Sequence, residues 1–242
     1  MNMERSSRDE ILRRINTALY RPGNDRGPVP EHADDKSGSF VRDSVPMKPD
    51  NNLEREQERL VDIFTNELAT VNGISKVVNN EDEIIQYLSN VTTEHDSKFF
   101  IVWETPLIKQ LKVIEHLKSN GLKVIKSQDK KQLERANIGI TEADYAIADS
   151  GTLVLISDPT KARLTSLITP LHIAILDAKK IVPNIFDLFR IVNYKLDQEL
   201  QSKDMMSCIS FITGPSRTAD IELNLTLGVH GPKELYVIIY NT

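Results

Sequence analysis

Apolar residues recur at regular intervals from Leu53 onward. Leu53, Leu60, Val61, Ile63, Phe64, Leu68 and Val71 follow a helical period and predict a long amphipathic helix. Asn80, with Glu83 three residues on, has capping-box spacing and starts a second helix. The continuous run Phe99 to Trp103 then reads as a buried strand. Pro106 suits the first turn of a helix ending at Asn120 and Gly121, where glycine takes a left-handed cap, and Leu122 to Ile125 form another short strand.

Downstream, Tyr145 to Ala148 and Thr152 to Ile156 flank Asp149-Ser150-Gly151, the pattern of two strands meeting at a tight turn. Leu171 to Leu176, Cys208 to Ile212 and Leu235 to Ile239 are further strands, and Ile185, Phe189, Val192 and Leu196 fall at helical spacing after Pro183. Such alternation predicts an α/β fold, a three-layer α/β/α arrangement with a mainly parallel sheet. Ligands are then expected beyond the carboxyl ends of its strands.

The first fifty or so residues follow another pattern. Within residues 1–19, Ser7 to Glu10 has capping-box spacing, and Ile11, Leu12, Ile15, Ala18 and Leu19 form one apolar stripe. Residues 20–52 are rich in Pro and Gly with few apolar positions, which predicts a flexible linker before a domain at 53–242. A detached amphipathic helix either docks on its own domain or grips another chain, and composition leaves both readings open.

A formal net charge of -5 over 242 residues argues against a broad nucleic-acid surface. No apolar run reaches the roughly 18 to 20 residues of a membrane helix, and charges interrupt the amino terminus where a signal peptide is apolar, so a cytoplasmic location is the expectation. Cys208 is the single cysteine. The chain therefore forms no internal disulfide and offers at most one thiolate to a metal cluster, which leaves iron–sulfur chemistry to a partner.

Two clusters carry candidate chemistry. In the first, the turn at Thr213-Gly214-Pro215 leads from a strand into Ser216, Arg217 and Thr218, with Asp220, Glu222 and His230 following. If a helix starts there, its unpaired N–H groups and the Arg217 guanidinium form a pocket for a small carboxylate or phosphate. The plainer reading is that Arg217 pairs with Asp220 or Glu222 and locks the turn. The second cluster is Thr141, Glu142, Asp144, Asp149, Ser150, Gly151 and Thr152. Its carboxylates suit acid–base work and its Ser150-Gly151-Thr152 amides an oxyanion, or the same residues simply cap and close a hairpin. His172, inside an apolar strand, reads as a hydrogen-bonded core residue, and His32, His95 and His116 as surface residues. Neither metal-ligand spacing nor a dinucleotide, P-loop or hydrolase motif occurs.

The segments GITEADYAIADSGTLVL from Gly139, Pro170 to Ala174, and TGPSRTADIE with LGVHGP ending at Pro232 resemble the LUD domain of the lactate-utilisation protein C family. The resemblance implies a fold similar to the NagB/RpiA/CoA transferase-like superfamily of sugar-phosphate isomerases and CoA transferases. It also implies a role in oxidising L-lactate to pyruvate beside two partners carrying cysteine-rich and iron–sulfur domains, with no cofactor in this chain. No catalytic residue set is carried over by it. An accessory or anion-binding subunit and a free-standing enzyme on a small phosphorylated, carboxylated or CoA-linked substrate are both compatible with it.

Overall fold

The computed structural model describes residues 51–126, 130–199, 207–219 and 225–241. The helix expected within residues 1–19 and nearly all of the expected linker lie outside these. Twelve strands and six helices follow. Helix α1 (Asn51–Thr70) leads to strand β1 (Ile74–Val78), α2 (Glu81–Glu94) and β2 (Phe99–Val102). Next come α3 (Pro106–Gln110), α4 (Val113–Ser119), β3 (Lys123–Val124), α5 (Lys130–Leu133) and β4 (Ile138–Glu142). The chain continues through β5 (Tyr145–Ile147), β6 (Thr152–Ser157), β7 (Leu171–Asp177), β8 (Ile181–Val182) and α6 (Ile185–Glu199). It ends in β9 (Cys208–Ile212), β10 (Arg217–Ala219), β11 (Leu225–Leu227) and β12 (Glu234–Tyr240).

The mainly parallel sheet runs β1-β12-β7-β4-β2-β3, every neighbouring pair parallel. Alternation puts Phe100, Ile140, Ile173 and Tyr236 on one face and Ile101, Thr141, His172 and Val237 on the other. Helix α2 reaches the first face at its C-cap, where the His95 ring meets Tyr236 edge-on at 5.8 Å. Phe64, Leu68, Phe100, Ile140 and Val237 are fully buried within one core, each contributing about 1.5–3 kcal/mol by leaving water. Helix α1 supplies Phe64 and Leu68 from one stripe. Among the described residues, no helix is long and apolar enough to cross a membrane.

The strands around Gly151 meet at the tight turn expected of them, and they lie in a second sheet, β8-β5-β6-β9, whose outer side packs on Leu188 and Val192 of α6. Several expectations are corrected. The helix expected from Pro106 to Asn120 is broken at Lys112, which takes φ 50°, so that Ile108, Val113 and Leu117 can all turn inward. No helix begins at Ser216: Arg217, Thr218 and Ala219 pair antiparallel with Leu227, Thr226 and Leu225. Two β-branched or arginine-bearing triplets facing across a short connection satisfy their backbone groups as a hairpin instead. His95, expected at the surface, is half-buried, with Nε2 3.3 Å from the Tyr236 hydroxyl.

Candidate functional site

Chain order places the site. Strand β2 connects outward to β3, whereas β4 lies on the other side of β2, so the loops leaving β2 and β4 diverge at their carboxyl ends. Parallel α/β sheets open a crevice at such a switch point. Here it is a cavity of about 300 Å³ lined by Glu104 and Thr105 after β2, Glu142 and Asp144 at the end of β4, and Asp158, Thr160 and Lys161 after β6.

Lys161 organises this cavity. Its ammonium lies 2.9 Å from Asp144 Oδ1 and 3.6 Å from Asp158 Oδ2, and 5.4 Å from the centre of the Trp103 ring. The second Asp144 oxygen accepts the Ile156 N–H at 2.7 Å, so both of its oxygens are held. Asp158 Oδ1 accepts the Thr160 N–H and hydroxyl and the Lys161 N–H, the geometry of an Asx turn. Burial pushes the Asp158 carboxyl up, but those hydrogen bonds and the Lys161 charge outweigh it and hold it below the ordinary carboxylate value. Trp103 is buried and its indole N–H donates to Ala162 O at 2.9 Å, which fixes the ring under the lysine. Across the cavity, Lys180 Nζ contacts Glu142 Oε1 at 2.8 Å.

Of the residues anticipated from sequence, Glu142 and Asp144 lie at this carboxyl edge. The others do not. Gly151 packs on the last turn of α1, its own N–H donating to Ala148 O, and a Cβ there would come 2.3 Å from the Leu68 nitrogen. Ser150 is exposed beside it, and the Thr152 hydroxyl meets that of Thr213 at 2.7 Å. Gly214 rests on Val71, and Arg217 donates to the Val71 carbonyl just beyond the helix. This caps a helix end, while Asp220 and Glu222, the partners expected for that guanidinium in the plainer reading, lie outside the described residues. Ser216 is tied through its N–H to Pro232 O at 2.8 Å and through its carbonyl to the Gly228 N–H at 2.9 Å, while Thr218 lies in the β10–β11 pair. His230 is exposed in a separate groove with Thr169, Pro170 and Lys233, before the amino ends of β7 and β12. The second cluster is thus divided: Glu142 and Asp144 face the crevice, while Gly151 and Thr152 meet the Thr213 to Arg217 turn at the end of α1.

Sequence reasoning missed Lys161, Asp158 and Thr160. Their signal was Asp158-Pro159-Thr160, a turn signature directly after an apolar strand, but only the fold brings it to the ends of β2 and β4. Cys208 is half-buried, 3.9 Å from Ser210 Oγ. Among the described residues, no three His, Cys, Asp or Glu side chains converge as a metal site.

This is a parallel α/β domain with a small second sheet and a charged crevice at its switch point. A DUF162-family protein from Deinococcus radiodurans shares the fold, with TM-score 0.53 and 16% identity over 76% of this chain and 98% of that one. Residues 61–240 match the LUD domain, and the chain belongs to the LUD-domain family. Its relatives include "Lactate utilization protein C" of Halalkalibacterium halodurans, 32% identical over 84% of this chain and 90% of the relative. The protein of the same name from Anoxybacillus flavithermus is 31% identical over 76% of this chain and 81% of its own length.

Proposed function

We propose that this protein serves lactate utilisation, as a component of L-lactate oxidation to pyruvate that works with iron–sulfur partner proteins and itself provides an anion-binding site. The observation carrying this reading is the extent of likeness to the relatives named for lactate utilisation, which takes in 84% of this chain and 90% of the Halalkalibacterium halodurans protein. The crevice offers chemistry in keeping with a 2-hydroxy acid. An ammonium has three donors, and the two aspartates occupy two directions around Lys161, leaving one for a ligand carboxylate. Glu142, held by Lys180, can accept a hydrogen bond from a ligand hydroxyl.

Deleting the gene should abolish growth on L-lactate but not on pyruvate, and the tagged protein restored to that strain should co-purify with iron–sulfur proteins. Growth of the deletion strain on L-lactate at the parental rate would refute the role.

A second reading has its own support. Glu142 stands half-buried beside the switch point, where enzymes of this layout place reacting groups, which favours the protein alone as an enzyme on a small phosphorylated, carboxylated or CoA-linked substrate. Turnover of such a substrate by the purified chain, lost in Glu142→Gln, would decide for it.

A further inference from the structure

A second and larger cleft adjoins the Lys161 cavity, sharing Glu104 and Thr160 with it, and has a volume of about 830 Å³. That falls within the roughly 300–1,000 Å³ of sites that enclose drug-sized molecules, far more than a three-carbon acid fills. Its walls come from the carboxyl ends of β2 and β3, from α5, and from the segment after Lys161.

The walls are apolar and the rim is cationic. Ile101, Val124, Ile125 and Leu133 line the interior, and Leu164 stands on the lip with 45% of its surface exposed. Ile101 and Leu133 belong to a small apolar cluster separate from the main core, so this wall is packed from behind. At the rim, Lys126 Nζ contacts Glu104 Oε1 at 2.7 Å, and that hydrogen bond, with the charges of Lys126 and then Lys109, holds the Glu104 carboxyl below its ordinary value. Among the described residues lining the cleft, two lysines face one carboxylate, which leaves one positive charge in excess. An apolar trough ending in a net positive rim complements a molecule with an apolar body and one anionic group.

We propose that this cleft binds an organic anion with an extended apolar or aromatic body, seated along Ile101, Ile125 and Leu164 with its charged end at Lys109 and Lys126. The proposal goes beyond the lactate role and does not depend on it.

The probe is anilinonaphthalene sulfonate, an aromatic monoanion whose emission rises on leaving water, titrated into the full chain. Saturable binding is expected, weakened at least tenfold by Leu164→Asp and at least threefold by Lys109→Glu. Both positions are exposed, and unchanged circular dichroism would show that the variants fold. Phe186→Ser, at a side chain 75% exposed on α6, should leave binding within twofold of wild type. Absence of saturable binding, binding indifferent to Leu164→Asp, or binding lost only with Phe186→Ser would overturn the proposal. Weakening by Leu164→Asp without any effect of Lys109→Glu would overturn the assigned orientation. Growth on L-lactate is read separately, so loss of one result leaves the other standing.

Discussion

His172 Nε2 lies 2.9 Å from Thr141 Oγ1 in the middle of the parallel sheet, and its other ring nitrogen, Nδ1, is buried without a partner. An imidazolium would bury two donors there and satisfy at most one. Burial alone drives the His172 pKa from 6.5 to about 3.

The sign of the resulting pH dependence follows. Below its ordinary value the unfolded chain takes up a proton that the folded chain refuses, so this contribution to stability is complete above pH 6.5 and is lost as pH falls toward 3. The loss runs at about 1.4 kcal/mol per pH unit. Between pH 7 and pH 5, urea unfolding should show the wild type losing about 2 kcal/mol more than His172→Gln, which keeps a donor for Thr141 but cannot titrate. Parallel losses in the two proteins would show that the imidazole is not held neutral.

Gly151 and Gly121 separate two reasons for glycine. Both have positive φ, 58° and 89°, but Gly121 faces open space whereas a Cβ on Gly151 meets the backbone of Leu68. Gly121→Ala should cost about 1 kcal/mol through backbone strain alone. Gly151→Ala should cost about 2–4 kcal/mol, since α1 must also shift. Equal midpoints in chemical denaturation would count against the close packing of α1 on this turn.

Lys161→Met leaves Asp144 and Asp158 together without their cation. At neutral pH the variant should lose about 1–3 kcal/mol, because both carboxylates are largely buried. Asp158 is held below its ordinary value of 3.8, so its share of stability is present above that value and disappears as pH falls through the folded one. The difference between variant and wild type should therefore shrink on acidification below about pH 4, which thermal melts across that range will measure.

Trp103 is the chain's only tryptophan, 1% exposed. Its emission should be blue-shifted and resist acrylamide quenching until the chain unfolds. Because Lys161 lies over the ring, a ligand that displaces the ammonium should change the intensity. A red-shifted, readily quenched native emission would contradict the placement of Trp103 beneath the crevice.

Much of this architecture is legible in local pattern. Asn80 caps α2, its side chain accepting the Glu83 N–H at 2.9 Å, and Gly151 closes the β5–β6 turn, because both signals depend on residues a few positions apart. Strand β1 was illegible for the converse reason. Only Val78 is buried in it, Ile74 and Val77 being 43% exposed at the sheet's edge, so no alternation marks it. The segment after Thr213 was misread because turn, hydroxyl and arginine are equally good at opening a helix or a hairpin; the pairing that decides between them lies beyond Asp220. Likewise, the carboxylates Glu142 and Asp144 were recognisable, but their cation Lys161 is positioned by the ends of three different strands.

The place of β12 between β1 and β7 has a further consequence. It is bonded to β1 on one side and β7 on the other, in register from Ile74 opposite Tyr236 and from Leu171 opposite Glu234. During synthesis, β1 emerges from the ribosome long before its only sheet neighbour exists, and must wait for residues 234–240 to be made. The parallel sheet therefore closes only after translation of that segment, and its formation is governed by distant pairing rather than by sequential addition of strands. A nascent chain stalled before Glu234 would carry an open seam between β1 and β7, with an apolar edge of β7 unpaired and exposed to wrong partners.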